Sequence, residues 1–178
     1  MEQFKDNGRG LLVPDHKLLA FGRYHGQIIR AGEVIDDFED DNLVVNEGLN
    51  ALLGVMLGGA TQIASWYLGL FTGNYTPVAT DAAAVIAANS TETNAYTSAT
   101  RPQFVPAAPA SQSITNSASQ ATFTFNATVT IYGAFLASSS TISGTTGTLF
   151  SAARFSSSKS VVSGDQLLLT YTFSAASA

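Results

Sequence analysis

His16 and His25 are the only imidazoles in this chain of 178 residues, and both fall in its first 30 positions. Asp15 precedes His16 directly, but neighbours on an extended chain point to opposite faces, so the pair is no ready-made dyad. Serine is abundant, yet no G-x-S-x-G elbow occurs, and a catalytic triad needs a buried, oriented histidine. Both histidines therefore read as surface or interface hydrogen-bonding groups. Beyond residue 47 the carboxylates are Asp81, Glu92 and Asp165. A glycosidase needs two that face each other; each of these sits in a turn or helix-cap context, and Asp165 after Gly164 reads as a turn residue. The cluster Asp36, Asp37, Glu39, Asp40, Asp41 could gather Ca²⁺, but it lacks the spacing that wraps oxygens around one ion. A solvated turn or a contact with complementary charge is the favoured reading. No phosphate cradle and no H-E-x-x-H pair is present, and no cofactor is expected. Trp66, Tyr67, Phe71, Tyr75 and Tyr96 could form an aromatic platform for sugar. The preferred reading puts Trp66 and Phe71 in the core and the tyrosines at an interface, where their polar tips find partners. Sequons at Asn74, Asn89 and Asn126 are what chance gives in a chain so rich in Asn, Ser and Thr.

Composition narrows the class. Hydrophobic residues make up 46%, which suits one folded domain and argues against wholesale disorder. Charged residues make up 12%, about half the usual share, so the surface must be built from Ser, Thr, Asn and Gln. Cysteine is absent, which excludes a disulfide framework and thiolate metal sites. The net charge of −5 argues against nucleic-acid binding, which needs clustered Lys and Arg. Residues 1–47 hold ten of the thirteen acids and five of the eight bases, so the deficit is concentrated near the N-terminus. MEQFKDNGRG has no apolar stretch behind a basic one, so no export signal is expected. The apolar run 49–71 is too interrupted by Gly, Thr, Gln and Ser to span a membrane.

The elements that would position these residues follow from periodicity. Residues 1–10 read as a loose tail and 11–21 as an extended segment interrupted by Pro14. Strands are expected over Tyr24–Arg30 and Glu33–Phe38, with a tight turn at Ala31-Gly32. Asn46 is the expected N-cap of a helix near 47–58, whose Leu49, Leu52, Leu53, Met56 and Leu57 share a face that should lie against a sheet. Gly58-Gly59 ends it. Trp66–Phe71 reads as a strand, Asp81–Asn89 as a short helix, and Arg101–Pro106 as an extended edge. From Ala121 to Leu136, odd positions are apolar or small and even ones mostly Thr or Asn, the period-two pattern of one or two strands. Leu149–Phe155 is another strand. Ser163-Gly164-Asp165 turns into a last one, where Leu167, Leu169, Tyr171 and Phe173 share a face. Short strands separated by turns predict a mainly β fold, a β-sandwich over residues 43–178 with one or two short helices. Residues 1–42 read as an N-terminal arm with short strands. Its Leu11, Leu12, Val13, Phe21, Tyr24, Ile28, Ile29, Asp36 and Asp37 are the candidate contacts to a neighbouring subunit. The candidate core anchors are Trp66, Phe71, Phe123, Phe125, Ile131, Phe135, Leu169 and Tyr171.

The phrases NLVVNEGLN (42–50), WYLGLFTGNYTP, RPQF, IYGAFLASS, GTLFSAARF and SGDQLLLTYTF resemble a group of tailed-bacteriophage virion proteins interpreted as capsid decoration or cement proteins. The resemblance covers roughly residues 33–175 and carries no catalytic residues. It implies a jelly-roll-like sandwich on the exterior of the capsid, bound to the major capsid protein and to copies of itself as a dimer or trimer, assembled in the host cytoplasm. Neither nucleic acid nor membrane is an expected partner. The alternatives are another virion structural protein (collar, tail or fibre base) or a carbohydrate- or receptor-binding sandwich.

Overall fold

The computed structural model describes residues 18–177 in full and residues 4–6 and 12–14 as backbone strands. In chain order the strands are β1 (Phe4–Asp6), β2 (Leu12–Pro14), β3 (Leu18–Arg30), β4 (Glu33–Asp41), β5 (Leu43–Val44), β6 (Trp66–Phe71), β7 (Gln103–Phe104), β8 (Ser113–Thr115), β9 (Ala121–Thr124), β10 (Val129–Ala137), β11 (Leu149–Val161) and β12 (Gln166–Ser177). The helices are α1 (Asn46–Leu57), between β5 and β6, and α2 (Ala83–Asn89), between β6 and β7. Two antiparallel five-stranded sheets pack as a sandwich. The first runs β5-β11-β10-β6-β7; the second runs β4-β3-β12-β8, with β9 on the same edge of β12 as β8. β1 and β2 pair only with each other, so part of the expected tail is strand.

The alternating segment 121–136 divides between the sheets, because β9 pairs with β12 while β10 pairs with β11 and β6. Ala121, Phe123 and Phe125 face the core from one side and Ile131 from the other. Ala134 and Leu136 are buried as well as Phe135. The strict alternation fails there because β10 is covered on both faces. Inside the sandwich lie Tyr24, Phe123, Phe155, Leu169 and Tyr171; outside the first sheet, α2 closes a second cluster around Phe71, Ile86, Phe135 and Leu149. All the expected core anchors except Trp66 are essentially inaccessible. Trp66 is partly buried, edge-on to Phe150 at 5.5 Å. Three aromatic rings lie over the glycine directly across the strand pair: Phe38 over Gly26, Phe135 over Gly69, and Phe71 over Gly133.

Residues 18–41, expected in an arm, supply β3 and β4 to the second sheet. β3 pairs along its whole length with β12. Its Ala31-Gly32 turn has φ of 52° and 87°, the two left-handed residues of a type I′ hairpin. The arm reading missed this because Gly22 and Gly26 take inward positions, where they accommodate Tyr171, Asn42 and Phe38; they leave gaps in the apolar alternation that would have marked a core strand.

α1 departs from expectation in two ways. Asn46 is its first helical residue rather than its cap; the cap position is Val45, buried and without a side-chain bond. The Asn46 backbone N–H instead donates to the Ala79 carbonyl at 2.8 Å, and Glu47 accepts the Leu149 N–H at 2.8 Å. The leucine-rich face is also largely uncovered. Gly48, whose lack of a side chain lets it meet the Phe150 backbone, is the helix's buried residue. Beyond Leu49 and Leu52 the helix leaves the sheet, and Leu53, Met56 and Leu57 are exposed. The glycine stop forms as expected, with the Gly58 N–H bonding the Leu53 and Gly54 carbonyls and Gly59 left-handed. No helix among the described residues is long and apolar enough to cross a membrane.

Candidate functional site

Most of the described ionisable groups meet one another within the chain. On the outer face of the second sheet, Arg23 donates to Asp41 at 2.9 Å and to Glu39 at 3.0 Å. His25 Nε2 lies 2.8 Å from Asp37 Oδ1, and Gln27 donates to the other oxygen at 2.8 Å. Those two bonds, with that from Gln27 the larger influence, hold the Asp37 carboxyl below the usual carboxylate range. This ladder follows from alternation, since β3 and β4 put Arg23, His25, Gln27, Asp37, Glu39 and Asp41 on one face. It is a solvent-exposed sheet face. Asp36 pairs with Lys159 of β11 at 3.0 Å, and the Lys159 ammonium sits 4.2 Å from the centroid of the Phe38 ring, a favourable cation–π geometry.

The acidic cluster therefore makes complementary-charge contacts inside the chain. A hollow between Arg23, Glu39, Asp40, Asp41 and Ser156 does not gather their oxygens: Glu39 and Asp41 turn outward to Arg23, while Asp40 turns inward to accept the Ser156 N–H at 2.7 Å. Among the described residues no three acidic or imidazole side chains come close enough to share a metal ion.

Of the other buried carboxylates, Asp81 accepts the Tyr75 hydroxyl and the Val78 N–H, while Asp165 and Glu92 are each paired with an arginine. Asp165 accepts Arg30 Nε at 2.8 Å and Nη2 at 2.7 Å, and takes the Val162 N–H at 2.9 Å. The Arg30 bonds lower its carboxyl below the usual range. Glu92 accepts Arg101 Nε and Nη2, each at 2.7 Å, and the Ser143 N–H at 2.6 Å, with both side chains almost fully buried. Arg101 also donates to the Ser139 carbonyl at 2.8 Å and lies over the Phe135 ring at 4.9 Å. This network fastens the polar 138–148 connection to the first sheet. Asn116, fully buried, braces the second sheet in a similar way. Its side chain accepts the Tyr171 N–H at 2.7 Å and donates to the Leu169 carbonyl at 3.2 Å. It thereby stands in for the strand missing between β8 and β9 on the edge of β12. Sequence reasoning did not single out Asn116 or the Glu92–Arg101 pair. The available signal was scarcity: Arg101 is one of three bases beyond residue 47.

The expected contact residues separate into three sets. Tyr24 and Ile28 are core residues, not surface contacts; the Tyr24 hydroxyl lies 3.0 Å from that of Ser151, and burial drives its acidity far down, so it stays protonated. Phe21 is exposed, Ile29 is partly buried, and Asp36 and Asp37 take the intrachain partners described above. Leu11 lies outside the described residues, as do Asp15 and His16, and Leu12 and Val13 are described only as part of β2. The aromatic platform does not assemble, since Phe71 and Tyr96 are buried and Tyr75 donates to Asp81 at 2.8 Å.

What the fold leaves open is an apolar groove of about 380 Å³ at one end of the sandwich. It runs between α1 (Leu52, Val55), the 62–66 segment with Trp66, and the ends of β7 and β12 (Phe104, Phe173). Among the described residues no Asp, Glu, Lys, Arg or His lines it. A family model described as Podophage GP4 fiber I protein gp80 matches residues 42–174. The chain belongs to that family. No curated protein matches it. A member of the gp80 fiber I family is a structural protein of a phage virion, so the virion class expected from the strand phrases stands, while the family's own description is fibre rather than head decoration. The match begins at Asn42, the residue at which the chain crosses from β4 of the second sheet to β5 of the first. It includes the groove-lining segments of α1, β6, β7, β8 and most of β12.

Proposed function

We propose that this protein is a non-catalytic building block of a tailed-phage fibre apparatus, a sandwich that holds neighbouring virion subunits. The observation that carries this reading is the fiber I family match over residues 42–174. The site chemistry supports it. The buried carboxylates Asp165 and Glu92 are neutralised by Arg30 and Arg101 within the chain, and among the described residues no charged side chain lines the apolar groove. Such a surface excludes water and binds another surface; it has no group placed to move a proton. The family description favours a fibre location over the head exterior, and the partners on this reading are other virion subunits and copies of the chain itself. Head decoration, with the major capsid protein as partner, makes a different prediction for the same experiment. Cryo-electron microscopy of intact particles, with copy number from quantitative mass spectrometry, separates the two. A fibre component appears at the tail or its junction in a number of copies set by the tail symmetry. Density spread over the head lattice in hundreds of copies would overturn the fibre assignment, and absence from purified particles would overturn the structural reading altogether.

A further inference from the structure

Between Glu47 and Asp81 the chain carries no charged residue, so α1 beyond its first turn is an exposed helix with no ionic face. A surface helix normally turns such a face to water. Instead Leu53, Val55, Met56 and Leu57 are exposed, from 36% at Val55 to 83% at Leu57. At the same end of the sandwich, β3 and β12 run on together as a ribbon beyond β4, with β8 and Gln112 still bonded to the far edge of β12 at Ser174 and Ala175. Leu18–Phe21 pairs with Ser174–Ser177, while β4 ends opposite Arg23, with one further bond from the Asn42 N–H to the Gly22 carbonyl. Leu18–Phe21 therefore has an edge that no strand among the described residues occupies, and its Leu18, Leu19 and Phe21 are exposed. An open apolar edge is a template for another chain. The ribbon begins where the groove ends, because Gly22 pairs with Phe173, a groove-lining residue.

We propose that these two features bind each other between copies: the Leu18–Phe21 edge of one copy seats in the apolar groove of a second. Two observations select a second copy as occupant. Among the described residues the groove offers no counter-charge to a charged partner, and the ribbon presents large apolar side chains before the charged ladder starts at Arg23. The area suits a weak contact. At roughly 200 Å² for each fully exposed large apolar side chain, the exposed fractions of these seven residues and of Val105 amount to roughly 900 Å² over both sides of the contact, the size of a weak, transient interface. A knob on one copy entering a hole on the next is a heterologous contact, which closes into a ring when the rotation allows.

The test is the mass of the isolated full chain by light scattering and sedimentation at about 10 μM, a usual working range for such contacts. Wild type should assemble, and Phe21→Glu and Val55→Glu should each run as monomers, with the dissociation constant raised about 100-fold or more by a buried, unpaired carboxylate. Mixing the two variants leaves one intact ribbon and one intact groove, so a dimer and nothing larger should form. Should Val55→Glu lose its far-UV circular dichroism, Val105→Glu takes its place, because Val105 lines the groove and its side chain is 47% exposed. A monomeric wild type would overturn the proposal, as would Phe21→Glu remaining assembled. A mixture that stays monomeric would do the same, by showing that like features meet like. The contact is a property of the isolated chain, so its failure leaves the fibre assignment standing and the reverse also holds.

Discussion

Replacing Arg101 with leucine should be among the most damaging single changes on the polar side of this molecule. Glu92 would keep its place in a site without solvent and lose two of its three hydrogen bonds, retaining the Ser143 N–H. The same change removes the bond to the Ser139 carbonyl and the guanidinium over Phe135, so the 138–148 connection loses its fastening as well. Removing one partner of a buried pair costs about 3–5 kcal/mol, because the other is left charged and unpaired. Against a total stability of about 5–15 kcal/mol, that is a large fraction, and at about 2–4 °C per kcal/mol for a chain of this size it lowers Tm by roughly 6–20 °C. Urea unfolding followed by circular dichroism and by Trp66 fluorescence would measure it. The Glu92→Leu/Arg101→Leu double variant should be markedly more stable than Arg101→Leu, since it buries no lone charge. The reasoning fails if Arg101→Leu costs less than about 1 kcal/mol, or if the double variant costs as much as the two single ones together.

Two further outcomes follow from local geometry. Asp165→Asn should be less stable than wild type at neutral pH, and the difference should shrink in acid. The folded carboxyl titrates below its unfolded value of about 4, so the stability it contributes is complete above that pH and is lost as pH falls through the lower, folded value; urea midpoints from pH 7 to pH 2 would show whether the two curves converge. Ala31→Asn should raise stability by about 0.5–1 kcal/mol, because Ala31 is exposed in the left-handed region at φ 52° beside Gly32 and asparagine tolerates that conformation better than alanine. An unchanged thermal midpoint would show that the turn carries no strain.

Alternation and turn chemistry, both local, were legible in the sequence. The inward face of β12, the sandwich class, the Ala31-Gly32 hairpin, the glycine stop of α1 and the edge position of the Pro102–Pro106 segment all follow from side-chain period and backbone freedom within a few residues. A contact with complementary charge was one reading of the acidic cluster, without naming the partners. Asp36 finds Lys159 and Arg30 finds Asp165 across more than a hundred positions, and such pairings depend on which strands become neighbours. For the same reason residues 18–41 read as an arm: only the docking of β3 along β12 makes Tyr24 and Ile28 interior. The apolar period of α1 was plain, but a period states that a face wants cover, not what covers it. The sheet reaches Gly48 and Leu49 and then falls away, and only the tertiary arrangement decided that the rest of that face, with the groove beside it, would be left for another surface.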